Sequence, residues 1–153
     1  MTDVRVGLDV GTTAIKAAAF AGDGTPIAVS QSPSATRAEP GGRAEQDMDT
    51  VWHSCCAVLK DLSARLEGHR VASLGICGQG DGLWAIDGEG RPAAPAMLWN
   101  DTRAARDIAD LARSGRSEAV GLASHTALWP GTSGALWRWL KHAQPEDAAR
   151  VAH

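Results

Sequence analysis

The stretch VRVGLDVGTTAIKAAAF, residues 4–20, decides the fold. Val4, Val6, Leu8 and Val10 alternate with Arg5, Gly7, Asp9 and Gly11, the period-two pattern of a strand with one buried face. Gly11-Thr12-Thr13 breaks the alternation, and a run of small and apolar residues from Ile15 to Phe20 follows at once. Two strands joined by so short a turn form an antiparallel hairpin. Gly22-Asp23-Gly24 is a second turn, leading to a third strand around residues 26–30, so the chain opens as a three-stranded β-meander.

Outward from the meander, residues 31–43 are rich in Ser, Pro and Gly and read as a loop. Asp49 or Thr50 then caps a helix whose apolar residues Trp52, Cys55, Leu59, Leu62 and Leu66 recur at helical spacing. Residues 71–77 form a short apolar strand ending in Gly78-Gln79-Gly80-Asp81-Gly82, and residues 83–86 form another, closed by Asp87-Gly88. A helix over about 103–113 turns Ala104, Ile108 and Leu111 inward, and a later one contains Leu136, Trp137 and Leu140. Pro145-Glu146-Asp147 opens a last helix, with proline and acids suited to its first turn, which is predicted to run to the final residue, His153. Three strands, a helix, a strand pair and further helices specify an α/β fold with a mixed sheet flanked by helices.

Composition narrows the class. The 153 residues are 44% hydrophobic and 22% charged, enough apolar surface for one folded domain and too much for a disordered chain. A net charge of -3 lacks the basic excess of a nucleic-acid binder. No apolar run approaches the ~20 residues that span a bilayer, and MTDVRVGLDV lacks the layout of a secretory leader. A cytoplasmic protein without nucleic-acid or membrane partners is expected. Cys55, Cys56 and Cys77 have no paired spacing and read as free, mostly buried thiols, and the five histidines show no metal-binding pattern.

Four constellations could carry chemistry. Asp9-Val10-Gly11-Thr12-Thr13 with Lys16 sets a carboxylate, a close-approach glycine, two hydroxyls and a cation around one turn. Such a hairpin can cradle phosphates without a Walker loop, the carboxylate reaching Mg²⁺ through water; the plain alternative is a hairpin that only turns the chain. In residues 78–82 alternate glycines leave Gln79 and Asp81 presented, an amide and a carboxylate suited to adjacent sugar hydroxyls, or else the solvated tips of an ordinary turn. Trp99-Asn100-Asp101-Thr102-Arg103 could line a polyol pocket, or could be a core Trp99 followed by Asp101 capping a helix. Trp129-Pro130-Gly131 could wall a pocket or pack on the core, whereas Trp137 and Trp139 on a helix read as packing.

In this order the pieces resemble the N-terminal part of an FGGY-family carbohydrate kinase, over essentially the whole chain. LDVGTTAIK (8–16), Glu45-Gln46-Asp47 with Trp52, GICGQGDG (75–82), AMLWNDTRA (96–104) and ALWPGTSGALWRWLKHAQPE (127–146) carry the resemblance. GQGDGLW and LWPGTSGALWRWLKH are most similar to the L-xylulose kinase and erythritol kinase branches. D-xylulose kinases tend to show GQMHG, and glycerol kinases carry Arg-Glu where Gly80-Asp81 stands here.

The resemblance implies a ribonuclease H-like domain of the actin, heat-shock chaperone and sugar kinase superfamily. It implies transfer of the γ-phosphate of ATP–Mg²⁺ to a hydroxyl of a pentulose or polyol. Asp9 would position Mg²⁺, Gly11, Thr12, Thr13 and Lys16 would hold phosphates, and Gln79, Gly80, Asp81, Trp99, Asn100, Asp101 and Trp129 would hold the sugar. The family's general-base aspartate, its adenosine contacts and its C-terminal domain would lie beyond residue 153. The chain is therefore expected to be one wall of a two-domain cleft, inactive alone, with an apolar face that favours association, a homo-oligomer included. Two other readings compete: a non-catalytic carbohydrate or nucleotide binding module of the same fold, and an actin-like or chaperone ATPase. GICGQGDG and WNDTRA speak against the second of these.

Overall fold

The opening alternation becomes strand β1 (Thr2–Val10), joined by its short turn to β2 (Ala14–Phe20) and then to β3 (Pro26–Pro33), the meander the sequence predicts. A computed structural model describes residues 1–153 and divides them into two units. The first takes Met1–Thr36 and Asp49–Gln79, the second Arg37–Met48 and Gly80–His153. The second unit opens with β4 (Arg37–Glu39) and β5 (Arg43–Gln46), before α1 (Met48–Ala64) and β6 (His69–Gly78) complete the first.

In the first unit the sheet order is β3-β2-β1-β6. β1 pairs antiparallel with β2 and parallel with β6, so the sheet is mixed. A parallel partner cannot be reached by a tight turn, and α1 lies in the crossover between the two strands. Val4, Val6, Leu8, Ile15, Ala17 and Ala19 are buried on one face of the sheet, and α1 contributes Val51, Cys55, Val58 and Leu62 to the core.

That stripe differs from the predicted one. Trp52 is 67% exposed and Leu59 only half-buried. Two stripes sharing Cys55 and Leu62 both satisfy a 3.6-residue period, and only the sheet chooses between them. The helix also starts at Met48, slightly before the predicted caps, with Asp49 in its first turn. Of the three thiols only Cys55 is buried, and burial pushes it above the ordinary thiol range, with the neighbouring Cys56 adding to the shift. β6 is an edge strand whose Val71, Leu74 and Ile76 are 50%, 47% and 67% exposed.

In the second unit the predicted loop 31–43 is in part strand. β3 persists to Pro33, and β4 and β5 form a hairpin that pairs with β7 (Ala96–Met97). These strands are too short and too polar to show alternation. The predicted strand over 83–86 reduces to two isolated bridges, Leu83 with Met97 and Ile86 with Pro92. Asp87 turns the chain there, its Oδ1 accepting the amides of Glu89 at 2.9 Å and Arg91 at 2.8 Å.

Four helices follow: α2 (Ala105–Arg113), α3 (Ser117–Ser124), α4 (Ser133–Ala143) and α5 (Pro145–Arg150). α3 has no buried residue, and so no apolar period announced it. α5 stops at Arg150 instead of running on, because Ala152 N–H donates to the Ile86 carbonyl at 2.9 Å and Ile86 N–H to that of His153 at 3.1 Å. Ala94, Met97, Ala104, Ala135, Leu136 and Leu140 form this unit's core, with Trp137 and Trp139 packed against it. No helix is long and apolar enough to cross a membrane.

The choice of stripe is testable by urea denaturation. Leu62→Ala is expected to cost about 2–5 kcal/mol, as for a fully buried leucine. Trp52→Ala is expected to change stability by no more than about 0.5 kcal/mol. A large loss from Trp52→Ala would restore the stripe predicted from the sequence.

Candidate functional site

The predicted site residues fall in both units, and each unit gathers its own set. Asp9, Gly11, Thr12, Thr13, Lys16 and Gln79 belong to the first. Gly80, Asp81, Trp99, Asn100, Asp101 and Trp129 belong to the second.

In the first unit, register does the gathering. Asp9 lies opposite Lys16 on β2 and opposite Cys77 on β6. Directly paired residues present side chains on the same face, so a carboxylate, an ammonium and a thiol share the face away from Val4, Val6 and Leu8. The Cys77 thiol donates to Asp9 Oδ1 at 3.7 Å. Gly7, Ala18 and Gly75 pave the floor beside them, leaving an open concavity of about 460 Å³.

The turn between β1 and β2 closes through Gly11 N–H to the Ala14 carbonyl at 3.2 Å. A Cβ on Gly11 would sit 2.9 Å from that carbonyl oxygen and 4.0 Å from both oxygens of Asp9. The absent side chain therefore keeps the approach to the carboxylate clear. The turn is braced from behind, since the Thr12 carbonyl accepts from Thr36 Oγ1 at 2.9 Å and the Thr13 carbonyl from Ser34 N–H at 3.0 Å. Gln79 follows the end of β6 as a half-buried residue, the last of this unit.

In the second unit, three motifs far apart in sequence meet through backbone. Gly82 has φ of 83°, and a Cβ there would lie 2.5 Å from the Met97 carbonyl oxygen. Its N–H donates to the Gly131 carbonyl at 3.0 Å, and its own carbonyl accepts from Ser133 Oγ at 2.6 Å. A Cβ on Gly131 would overlap the Trp99 carbonyl, the oxygen that also accepts from Trp129 Nε1 at 3.2 Å. The loops at 80–82, 97–101 and 129–133 are thereby one assembly. Asp81 is exposed at its tip with φ of 56°, in the left-handed region that aspartate tolerates better than most residues. Trp99 is 48% exposed, Asn100 is exposed and Trp129 half-buried, so neither tryptophan is a core residue.

Asp101 is placed differently. It has no exposed surface. Its Oδ2 accepts the amide of Ala44 at 2.9 Å, and its Oδ1 accepts the amide of Arg103 at 2.9 Å. The Arg103 guanidinium donates to both oxygens, with Nη2 to Oδ2 at 2.8 Å, and also lies 2.7 Å from Glu45 Oε1. Sequence reading did not bring this buried cluster together. Glu45 and Arg103 each stood inside a quoted motif, but no spacing rule pairs residues so far apart.

The family profile described as "FGGY family of carbohydrate kinases, N-terminal domain" matches residues 4–153. The chain is 31% identical to the L-xylulose/3-keto-L-gulonate kinase of Escherichia coli, covering 99% of this chain and 31% of that protein. It is 32% identical to the erythritol kinase of Brucella abortus, covering 98% and 30% respectively. The chain thus spans about a third of the length of these curated relatives. Among solved structures, one described as a xyloylose kinase from Brucella ovis superposes with a TM-score of 0.88 at 26% identity, over 97% of this chain and 31% of that one. The xylulose kinase from Rhodospirillum rubrum shares the fold with a TM-score of 0.91 at 24% identity, over 97% and 32%. The ribonuclease H-like fold implied by the sequence motifs is borne out by these neighbours. With the β1–β2 turn and all three glycine-braced loops inside a match that runs from Val4 to the last residue, this chain belongs to the FGGY family of carbohydrate kinases, in that family's N-terminal domain.

Proposed function

We propose that the protein carrying this chain transfers the γ-phosphoryl group of ATP to a hydroxyl of a pentulose or polyol. The observation that carries the reading is the family match over residues 4–153, on a chain that keeps a clear carboxylate beside a braced Gly-Thr-Thr turn. Relatives named as L-xylulose and erythritol kinases support the substrate class.

In this reading Gly11, Thr12, Thr13 and Lys16 hold phosphate oxygens, the amides and hydroxyls as donors and the lysine as a point charge. The cleared approach at Gly11 fits a hydrated Mg²⁺ against Asp9. Bound there, the ion neutralises charge on the transferring phosphoryl group. Asp81 accepts from sugar hydroxyls, Gln79 and Asn100 add amide contacts, and Gly80 lets the ligand approach backbone. Trp99 and Trp129 wall the sugar and exclude water. The general base and the adenosine contacts belong to the remainder of the longer protein. Transfer of this kind depends on positioning and charge more than on covalent catalysis.

The reading is tested by a coupled ADP-release assay of the full-length protein with L-xylulose, erythritol, ribitol, xylitol, D-xylulose and glycerol. Turnover of a pentulose or polyol is expected, and sugar binding without turnover of any of them would overturn it. Asp81→Asn, which tolerates the left-handed backbone and removes only the charge, is expected to raise KM for the sugar by about tenfold or more, while KM for ATP stays within about twofold. A rise confined to ATP would remove Asp81 from the sugar site. Asp9→Asn is expected to lower kcat by about a hundredfold and to shift the Mg²⁺ dependence, and an unchanged Mg²⁺ response would remove the metal role.

A further inference from the structure

Asp101 presents a contradiction for a sugar ligand: it stands beside exposed Asn100 and Trp99, yet its carboxylate is fully enclosed. Around it lies a dense group of charges. Arg103, with its side chain 8% exposed, bonds Asp101 through Nε at 3.0 Å and Nη2 at 2.8 Å. Nη2 also meets Glu45 Oε1 at 2.7 Å, Arg43 Nη1 lies 3.4 Å from Glu45 Oε2, and the guanidinium carbon sits 4.5 Å over the Trp139 ring. The guanidinium thus joins β5, the loop before α2, and α4.

The same loop is pinned on every side except one. Leu98 N–H donates to the Ala44 carbonyl at 2.9 Å, Thr102 N–H to that of Gly42 at 2.8 Å, and Asp101 N–H to that of Leu98 at 2.9 Å. Residues 99, 100 and 102 are exposed, and with Thr102 held by its amide and Asp101 and Arg103 by their own bonds, residues 99 and 100 are the outward pair without such a tie from their side chains or amides. Trp99 then passes the constraint on, through its carbonyl, to Trp129 and Gly131.

Stability alone is a poor reason for this arrangement. Buried ion pairs repay their desolvation only in part, and apolar residues of the same volume often do as well. Here one guanidinium nitrogen, Nη1, is buried without a hydrogen-bond partner, a further cost. Burial works against the charge on Arg103, but the bonds and charges of Asp101 and Glu45 outweigh it and hold the group above the ordinary arginine range. What a rigid fork between two carboxylates does supply is direction, which a lysine's single ammonium cannot reproduce.

We propose that Arg103, with Asp101 and Glu45, is a positioning residue that sets Trp99 and Asn100 at the sugar site, and that Asp101 acts through this loop without touching the sugar. The inference deepens the proposed function and rests on it for the identity of the ligand.

The test uses the full-length protein with Arg103→Lys, Asp101→Asn and the double variant. It reads KM for sugar and for ATP, kcat, Tm, and amide hydrogen exchange over residues 98–103. Arg103→Lys keeps the charge and loses the fork, and circular dichroism selects for comparison the variants that remain folded. Positioning predicts that each single variant raises KM for the sugar by about tenfold to a hundredfold with KM for ATP within about twofold. Exchange at 98–103 should speed at least about tenfold in both, and the double variant should be little worse than the worse single one, as expected for residues acting as a unit. The proposal is overturned if Asp101→Asn raises the sugar KM with exchange unchanged while Arg103→Lys leaves both alone, since that is the pattern of a direct contact. If the wild-type protein phosphorylates none of the six sugars, the proposed function fails, and exchange alone decides: faster exchange in Arg103→Lys keeps the positioning of residues 99–100, and unchanged protection removes it.

Discussion

The first unit depends on β1 having backbone partners on both edges. On one side β2 returns antiparallel through a tight turn, and on the other β6 arrives parallel. The two pairings impose different connections, a hairpin and a long crossover, and α1 supplies the crossover. Register follows from the same constraint, because a slip by one residue would carry Val4, Val6 and Leu8 to the opposite face. Asp9 would turn with them. The apolar core thus fixes the place of the carboxylate on the other face, with Lys16 and Cys77 as its cross-strand neighbours.

The second unit is organised by other forces. Its strands, β4, β5 and β7, are two to four residues long, too short for a ladder to hold by itself. Side chains do what longer ladders would do elsewhere: the Asp101 carboxylate takes the Ala44 amide, and Arg103 spans from Glu45 to Asp101. The apolar cluster of Met97, Ala104, Leu136 and Leu140 anchors the helices. Charge and backbone contact set the loops. Such an arrangement tolerates little substitution, since each buried charge needs its partners.

How much of this the sequence disclosed follows from the range of the interactions. The meander was legible because alternation and turn chemistry act over neighbouring residues. So was the Gly-Thr-Thr turn, where carboxylate, glycine, threonines and lysine stand within one short stretch. The stripe on α1 was ambiguous because Cys55 and Leu62 belong to two overlapping helical patterns, and the sheet selects one. The loops at 80–82, 97–101 and 129–133 could each be recognised, but their meeting through Gly82 and Gly131 could not. Asp101 shows the limit most clearly. Its neighbours in sequence suggested a ligand contact or a cap, while its partner Ala44, and Glu45 on the far side of Arg103, come from a four-residue polar strand that no alternation announced.

The two glycine contacts also fix how the exposed groups of these loops are spaced. At Gly131 the Trp99 carbonyl comes so near that no side chain fits, and at Gly82 the backbone of Met97 and Trp99 leaves the same lack of room. Backbone packed on backbone has far fewer adjustable torsions than two long side chains in contact. The spacing between Trp99, Trp129 and the Asp81 tip is therefore a property of main-chain geometry, with the tryptophan hydrogen bond as a further tie. Exchanging residues at the exposed tip would change the groups presented there without touching these backbone contacts. Loops held in this way can accept changes at one or two exposed positions without being rebuilt.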